Sequence, residues 1–372
     1  MKKIVFFIEQ LCGGGAERVT SELANSICNS NYEVHVVTFN DKKEKEYLLD
    51  NKIVRHNLEL DVKDRFVREY QRMKQIRNVV EEIRPYCIIS LAMPITNAGI
   101  VLALHGTKNT IILSERNDPN NYPISKIHRI LRNIAYIKCD GVVFQTEEAR
   151  AYFSNNIKKK STVILNPINK QLPEVFKGRR TSRIVNFCRL AKQKNLDLLI
   201  DAFEEIIKEF PEYSLHIYGE GPEKNHLMEK IIDKELINKA ILHKYSENIY
   251  EEIEDAALFV STSNYEGISN SMLEALALGI PTICTDCPIG GARQIIQNGL
   301  NGILIPVNHQ KKLVQAMREV LTNVELANKI SVEGTKIRQR LSISQIAMQW
   351  IDYIEMITEG RNKHEFENKK ID

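Results

Sequence analysis

The sequence predicts an α/β protein that contains two doubly wound domains. Its 372 residues exceed what one ordinary hydrophobic core needs and are sufficient for two α/β domains. Short apolar strands alternate with helical patterns, an order typical of parallel sheets covered by helices on both faces. Periodicity is lost between residues 168 and 182, where Pro173 and Gly178 occur. We therefore predict an N-terminal domain over 1–167, a linker over 168–182 and a C-terminal domain over 183–342.

The composition is that of an ordinary globular protein. Hydrophobic residues make up 43% of the chain and charged residues 27%. The longest apolar stretch, residues 86–105, is broken by Pro94 and by polar residues, so we expect a strand, a loop and a buried helix there rather than a membrane span. We expect no signal peptide, because Met1 is followed almost directly by a strand pattern. Seven cysteines without framework spacing indicate reduced thiols and a cytosolic protein.

Positive charge is concentrated in the N-terminal half. Residues 1–170 carry 26 Lys and Arg against 19 Asp and Glu, whereas the remainder carries 25 against 29. No basic run interleaved with aromatic residues occurs, so nucleic-acid binding is not expected. The one C-x-x-C pair, Cys284 and Cys287, has no second pair nearby, and we favour ordinary packing over a zinc or redox role.

Two segments, 65–84 and 126–138, predict basic amphipathic helices. Their apolar residues at helical spacing are Phe66, Tyr70, Met73, Ile76, Val80 and Ile83 in the first, and Ile127, Ile130, Leu131 and Ile134 in the second. Such a stripe can pack on a core, or it can lie on an anionic membrane surface with the basic residues beside it. We favour core packing for either helix alone and leave both alternatives open for the pair.

The most informative stretch follows the apolar strand at residues 257–260. A polar turn leads into a helical pattern that opens near Ser271 and ends at Gly279. A strand, turn and helix in this order direct the free N–H groups of the helix start to the carboxyl edge of the sheet, where they favour a phosphate. Glu266 and Glu274 flank the turn and can bind hydroxyls of a transferred sugar and of a ribose. Because Ser271-x-x-Glu274 is also a capping box, capping remains an alternative for Glu274.

Glu266-x7-Glu274, with Gly267 between them, resembles the signature of retaining, nucleotide-sugar-dependent glycosyltransferases of the GT-B fold, family 4. The resemblance implies two Rossmann-like domains that face each other across a cleft. It also implies a final helix over 343–359 that crosses back onto the first domain, with a polar tail over 360–372. Glu266 would hold sugar hydroxyls and Glu274 the ribose. The donor would also contact Gly267, Ile268, Ser269, Asn270, Ser271 and Met272.

Further positions match this family in chain order. Arg189 and Lys194 lie five residues apart in a strand-to-helix loop and resemble the two cations that hold the leaving diphosphate. Together with Glu266 they are the predicted catalytic residues. Glu220, in a glycine-bearing turn, and Lys244 match donor contacts more weakly, and each position is equally well an ordinary βα turn.

The glycine run before the first helix resembles the family's N-terminal loop. By this resemblance Gly14 and Gly15 contact the donor and Arg18 lies on the acceptor side, although a tight turn without a ligand is the alternative. A dinucleotide-binding fingerprint is disfavoured, because Arg18 stands where its third glycine belongs. Asp41, after the second strand, could nevertheless mimic the ribose-binding acid of such proteins.

A polar loop at residues 114–119 follows another strand, at the sheet edge where α/β proteins place binding residues. Many relatives carry a histidine near this point, close to the transferred sugar. Here Glu115, Arg116 and Asn117 replace it, as in a subgroup associated with surface polysaccharides. We place these three residues on the acceptor side, and their presence disfavours a histidine-based mechanism.

The resemblance implies a retaining transferase that moves a hexose or N-acetylhexosamine from a UDP-sugar to a lipid-linked glycan. The process would be bacterial surface-polysaccharide assembly, such as capsule, exopolysaccharide or lipopolysaccharide, at the inner face of the plasma membrane. The basic first domain favours the lipid carrier, and the uridine rests on the resemblance alone. No Asp-x-Asp clamp stands in a suitable loop, so neither a metal nor a cofactor is expected. Two alternatives stay open: a catalytically silent nucleotide- or glycan-binding protein, and a GT-B phosphorylase or sugar-phosphate synthase.

Overall fold

The computed structural model describes residues 1–40 and 46–368, without the side chains of Arg65 and of residues 362–368. Asp41 lies outside the described residues. The chain forms two compact units, Met1–Pro167 together with the segment that begins at Ile343, and Ile168–Ser342. Each unit contains one parallel sheet with helices, so the predicted α/β fold class is confirmed.

The first unit contains a seven-stranded sheet in the order β3-β2-β1-β4-β5-β6-β7. Its strands are β1 (Lys2–Ile8), β2 (Tyr32–Thr38), β3 (Val54–Asn57), β4 (Cys87–Ser90), β5 (Ile111–Ser114), β6 (Gly141–Phe144) and β7 (Ser161–Val163). Its helices up to Pro167 are α1 (Gly15–Cys28), α2 (Arg65–Ile83), α3 (Pro94–Ala103), α4 (Lys126–Lys138), α5 (Glu147–Ala151) and α6 (Asn155–Lys158). Strands β4, β5 and β6 are buried at every position, as expected for a parallel sheet that helices cover on both faces.

The second unit contains a six-stranded sheet in the order β10-β9-β8-β11-β12-β13. Its strands are β8 (Thr181–Phe187), β9 (Ser214–Tyr218), β10 (Ala240–His243), β11 (Ala256–Ser261), β12 (Thr282–Thr285) and β13 (Ile303–Ile305). Its α-helices are α7 (Leu196–Glu209), α8 (Lys224–Asp233), α9 (Ile249–Ile253), α10 (Asn270–Ala277), α11 (Gln310–Thr322), α12 (Val324–Thr335) and α13 (Ile337–Arg340). A continuous core of aliphatic side chains from β8, β9, β11, α7 and α11 joins this sheet to its helices.

The predicted linker over 168–182 overlaps the second unit, and this part of the prediction is corrected. Strand β8 begins at Thr181, inside the predicted linker, because Thr181 pairs with Ala256 of β11. The guanidinium of Arg180 donates to the carbonyl oxygens of Glu254 and Ala256 at 3.1 and 3.0 Å. These bonds attach the end of the segment to the sheet before the first buried residue of β8.

The final helix, α14 (Ile343–Asn368), belongs to the first unit. Trp350 and Tyr353 are buried there, and the Tyr353 hydroxyl accepts a hydrogen bond from the backbone N–H of Val142 at 3.0 Å. The helix does not end at residue 359 as predicted but continues through residues 360–368, the first part of the predicted polar tail. Arg361 holds this end of the helix through an ion pair with Asp140 at 2.8 Å.

The two basic helices of the first unit differ in what they bury. In α2 the C-terminal stripe residues Ile76, Val80 and Ile83 are buried, which agrees with core packing. In α4 the predicted core packing is wrong, because Ile127, Ile130 and Ile134 are exposed. The reason is the opposite face of α4, where Arg132 is completely buried and fixes the rotation of the helix. Among the described residues, no helix is both long and apolar enough to cross a bilayer.

Candidate active site

The turn after β11 ends in a capped helix start. The N-cap of α10 is Ser269, whose hydroxyl accepts from the backbone N–H of Met272 at 3.4 Å. The capping-box alternative for Glu274 is therefore wrong, since Ser271 already lies inside the helix. Glu274 lies in the second turn of α10, and its side chain is buried. The amides of Asn270 and Ser271 belong to the first turn, where N–H groups have no acceptor within the helix.

Lys194 and Glu266 form an ion pair at the carboxyl edge of this sheet. The Lys194 Nζ lies 2.5 Å from Glu266 Oε1, and each side chain is only 16% exposed. The Nε2 atom of Gln193 donates to Glu266 Oε2 at 2.6 Å and to the carbonyl oxygen of Tyr265 at 2.8 Å. Both carboxylate oxygens are therefore held in place. Sequence reasoning missed Gln193, although it stands between the two predicted cations.

The charge state of Lys194 follows from its surroundings. Burial is the largest single influence and lowers the pKa of the ammonium, but the charge and hydrogen bond of Glu266, together with the nearby Cys188 and Cys287, outweigh burial and hold that pKa above its ordinary value. Lys194 is therefore a fixed cation at neutral pH. A site with a fixed, partly desolvated cation can stabilise a leaving anion without first reorganising water.

Arg189 lies in the loop after β8, beside the strand that leads to Glu266. It is exposed and has no hydrogen-bond or ion-pair partner among the residues that the structure describes. Because β8 and β11 are parallel neighbours, their carboxyl ends meet at one edge of the sheet. The structure thus places both predicted cations at the edge that carries Glu266, one of them paired and the other exposed to solvent.

The glycines after β9 allow their loop to pack on the Arg189 loop. A Cβ atom at Gly219 would overlap the carbonyl oxygen of Cys188, and one at Gly221 would overlap that of Leu190. The backbone N–H of Leu190 donates to the carbonyl oxygen of Glu220 at 2.9 Å, which joins the two loops. These glycines therefore support the position of Arg189 in addition to forming a turn.

The weaker donor predictions lie at the surface. The Glu220 side chain is exposed and paired with Lys224 at 3.1 Å, and Lys244, after β10, is exposed. A further glycine was not among the predicted residues: a Cβ atom at Gly291, after β12, would overlap the carbonyl oxygen of Gly267. The loop after β12 therefore packs directly on the turn that carries Glu266.

The glycine loop of the first unit caps α1. Gly14 is the N-cap, Gly15 is the first helical residue, and a Cβ atom at Gly14 would overlap the carboxylate of Glu17. Burial and, to a lesser extent, the charge of Glu9 raise the pKa of Glu17. Arg18 is buried and forms an ion pair with Glu22 at 3.0 Å. Its contact with an acceptor stays a prediction.

The three acceptor-side residues after β5 have different surroundings. Glu115 is buried, and its Oε2 atom accepts from Arg132 Nη1 at 3.4 Å and from the Tyr136 hydroxyl at 3.3 Å. Arg116 donates to the side-chain oxygen of Asn166, and Asn117 accepts from the backbone N–H that follows it at 2.8 Å. Burial raises the pKa of Glu115 to about 7, because the effect of burial exceeds the opposing effect of the Arg132 charge.

The cysteine pair lies in and just after β12. Cys284 and Cys287 are free, buried thiols, and burial raises the pKa of both. Across the described ranges, no group of three or more His, Cys, Asp or Glu side chains is arranged to hold a metal ion. The pair therefore lacks further ligands for a zinc site within those ranges.

Two family models match the chain. The model described as "Glycosyl transferases group 1" matches residues 169–337, and the model described as "Glycosyltransferase Family 4" matches residues 13–172. The chain belongs to the family 4 glycosyltransferases of the GT-B fold. The two matches together include every predicted site residue.

Individual relatives agree with this assignment. The glycosyltransferase is 30% identical over 265 residues to a poly(glycerol-phosphate) alpha-glucosyltransferase of Bacillus subtilis, covering 70% of this chain and 39% of that relative's length. It is 26% identical over 362 residues, 95% of this chain and 98% of the relative, to a Campylobacter jejuni alpha-1,4-N-acetyl-D-galactosaminyltransferase named for a diphospho-undecaprenol-linked glycan. The crystal structure of Anabaena Alr3699/HepE in complex with UDP and glucose shares the fold, with a TM-score of 0.82 and 16% identity over 96% of this chain and all of that one.

The pKa of Glu115 predicts a pH dependence of stability in this glycosyltransferase. Its folded-state pKa of about 7 lies above its ordinary value of 4.5, so the folded state binds more protons than the unfolded state between these values. The free energy of unfolding should therefore decrease by up to about 3 kcal/mol as the pH rises from 4.5 to 7. Glu115→Gln should remove that part of the slope. Urea unfolding followed by the fluorescence of Trp350, the one tryptophan, reports on the first unit.

A matched control for this experiment is Glu147→Gln, because the Glu147 side chain is 65% exposed and lies in the same unit. The control should keep the wild-type slope between pH 4.5 and 7. An unchanged slope in Glu115→Gln would show that the Glu115 carboxyl does not titrate in this range.

Proposed function

We propose that this glycosyltransferase moves a hexose or N-acetylhexosamine from a UDP-sugar, with retention of configuration, to a lipid-linked glycan. The observation that carries the proposal is the Lys194–Glu266 ion pair, 2.5 Å long, at the sheet edge that also holds Arg189 and precedes α10. A fixed cation, an exposed cation and a helix N-terminus together suit a departing diphosphate.

The ion pair suggests how the donor is bound. Lys194 and Glu266 neutralise each other in this structure. A bound diphosphate would replace Glu266 as the partner of the Lys194 ammonium and would attract Arg189. Each charge-assisted hydrogen bond would contribute roughly 1.5–3 kcal/mol. Glu266, still held by Gln193, would then accept hydrogen bonds from sugar hydroxyls. The buried Glu274 would accept from the ribose.

The proposal needs neither a metal nor a cofactor. Arg189, Lys194 and the first-turn amides of α10 would neutralise the leaving diphosphate, which in other enzymes a divalent cation does. In this proposal they stabilise charge that develops only as the bond to the sugar breaks. The UDP-sugar is therefore a co-substrate and the only small molecule required.

Names of relatives support the acceptor class and the process. The Campylobacter jejuni relative is named for a diphospho-undecaprenol-linked glycan, and an Erwinia amylovora relative, 26% identical over 310 residues, is named for amylovoran biosynthesis. We extend these to surface-polysaccharide assembly on a lipid carrier at the cytoplasmic face of a membrane. The predicted acceptor-side residues Arg18, Glu115, Arg116 and Asn117 would lie towards that glycan.

Binding of UDP tests the donor half of the proposal. Glu274→Ala should weaken UDP binding at least tenfold in calorimetry, because the ribose hydroxyls lose a buried carboxyl acceptor. Glu319→Ala, an exposed glutamate of α11, is the matched control and should bind like the wild type. Undiminished binding in Glu274→Ala would show that the ribose assignment is wrong.

Transfer itself is tested with a panel of nucleotide sugars ranked by saturation-transfer NMR, followed by trials with lipid-linked acceptors. We expect one UDP-sugar to bind best and to release UDP only when an acceptor is present, with the anomeric configuration retained in the product. Consumption of inorganic phosphate would indicate a phosphorylase instead. Binding without turnover on any acceptor would indicate a silent binding protein.

A further inference from the structure

Helix α4 turns its apolar side to solvent. Five isoleucines in and next to it are between 49% and 81% exposed: Ile124, Ile127, Ile130, Ile134 and Ile137. Their spacing of three and four residues places them on one side of the helix. Scattered apolar residues are normal at a protein surface, but a contiguous row of this length marks an interaction surface. We call this row the isoleucine face.

The charged residues of α4 are all of one sign. Helix α4 contains Lys126, Arg129, Arg132 and Lys138 and no aspartate or glutamate. Arg132 is buried, so the other three, with Lys126 and Lys138 exposed, determine the charge of the surface. An apolar row beside cations is the arrangement by which a helix lies in the interface of an anionic bilayer.

Helices α2 and α3 also expose apolar side chains. Helix α3 packs against both α2 and α4. The start of α2 exposes Phe66 and Tyr70, at 87% and 66%, and α3 exposes Leu102 at 64%. Exposed aromatic and aliphatic side chains therefore occur on the neighbouring helices as well as on α4.

We propose that the isoleucine face of α4 docks on an anionic phospholipid surface, with the isoleucines in the acyl boundary and the basic side chains on the headgroups. A second copy of the chain fits less well. A symmetric interface would place Lys126 and Lys138 of one copy near the same cations of the other, and like charges at an interface are unfavourable.

The docking helix is connected to the predicted acceptor loop. Arg132 Nη1 donates to the carbonyl oxygens of Pro119 and Tyr122 at 3.1 and 2.9 Å, as well as to Glu115. The loop that carries Glu115, Arg116 and Asn117 is therefore hydrogen-bonded to the buried face of α4. This consequence rests on the proposed function, since it matters only if the acceptor is membrane-borne. Docking would hold that loop near the lipid surface.

Vesicle cosedimentation tests the docking surface without using activity. The variant is Ile127→Ser/Ile130→Ser/Ile134→Ser. The matched control removes the same number of exposed apolar side chains from the second unit, as Ile232→Ser/Val324→Ser/Val332→Ser, residues that are 50%, 68% and 62% exposed. Vesicles contain about a third phosphatidylglycerol in phosphatidylcholine. We expect wild type and control to bind, the α4 variant to bind at least tenfold more weakly, and binding to fall as salt is raised from about 0.1 to 1 M.

Three outcomes would overturn the proposal: no binding by the wild type, equal loss in the variant and the control, or a wild-type dimer in light scattering that the α4 variant converts to monomer without vesicles. The last would assign the isoleucine face to a second copy of the chain. UDP calorimetry on the same preparations separates this proposal from the preceding one. A protein that binds vesicles but not UDP would support the docking surface and contradict the donor assignment. A protein that binds UDP but not vesicles would support the donor assignment and contradict the docking surface.

Discussion

Lys194→Met should lower kcat by about 10²–10³-fold, because it removes a fixed cation from the place where the leaving diphosphate is expected to develop charge. Methionine keeps most of the aliphatic stem, so packing of the loop should change little. Glu266 would retain its bond from Gln193 at 2.6 Å. The measurement is the initial rate of UDP release at saturating concentrations of the donor and acceptor that the wild type prefers.

The matched control is Lys192→Met, since Lys192 lies in the same short 3₁₀ turn and is exposed. It should keep kcat within about twofold of the wild type, as expected for a solvated surface charge. If Lys194→Met also stayed within that range, the Lys194–Glu266 ion pair would be a structural contact and not part of the catalytic machinery.

Arg132→Met should destabilise the first unit by about 3–5 kcal/mol at pH 8, because the buried Glu115 carboxylate loses its counter-ion. The carbonyl oxygens of Pro119 and Tyr122 lose their donor as well. The cost should be smaller at pH 5, where Glu115, with a pKa of about 7, is protonated and needs no counter-ion. Urea unfolding followed by Trp350 fluorescence measures both values.

Two further variants locate the cause of that loss. Arg129→Met, on the same helix, removes a single bond to the carbonyl oxygen of Pro123 and should cost far less. The double variant Arg132→Met/Glu115→Gln should recover part of the loss at pH 8, as a double-mutant cycle on a contacting pair requires. A loss that is equal at pH 5 and pH 8, with no recovery in the double variant, would attribute the effect to packing alone.

Features set by neighbours in sequence were predictable. Glu266 and Glu274 are separated by one turn and the start of one helix, so their spacing alone places both at the edge of one sheet. The N-cap was misplaced at Ser271, because both Ser269 and Ser271 can cap and only the backbone path after β11 selects Ser269. Gln193 was missed for another reason. It meets Glu266 across 73 residues, and no local pattern indicates that contact.

Helix α4 is a second example of a feature that local sequence patterns cannot predict. Periodicity correctly indicates an amphipathic helix, but it gives no information on which face the fold covers. Arg132 determines the rotation through Glu115 and through carbonyl oxygens more than nine residues away, so the apolar row became the outer face. Arg361, in the part of α14 beyond residue 359, likewise forms an ion pair with Asp140, a residue more than 200 positions earlier.

Because α14 completes the first unit, the early part of the chain cannot finish folding when it is first made. The helix contributes three buried side chains to the core of this unit: Trp350, Tyr353 and Ile354. Before α14 is synthesised, the core positions that these side chains fill are open to water. During synthesis, Ile168–Ser342 leaves the ribosome in between and is the only unit whose residues are contiguous. Premature termination near the end of the message would therefore spare the second unit and leave the first without its closing helix.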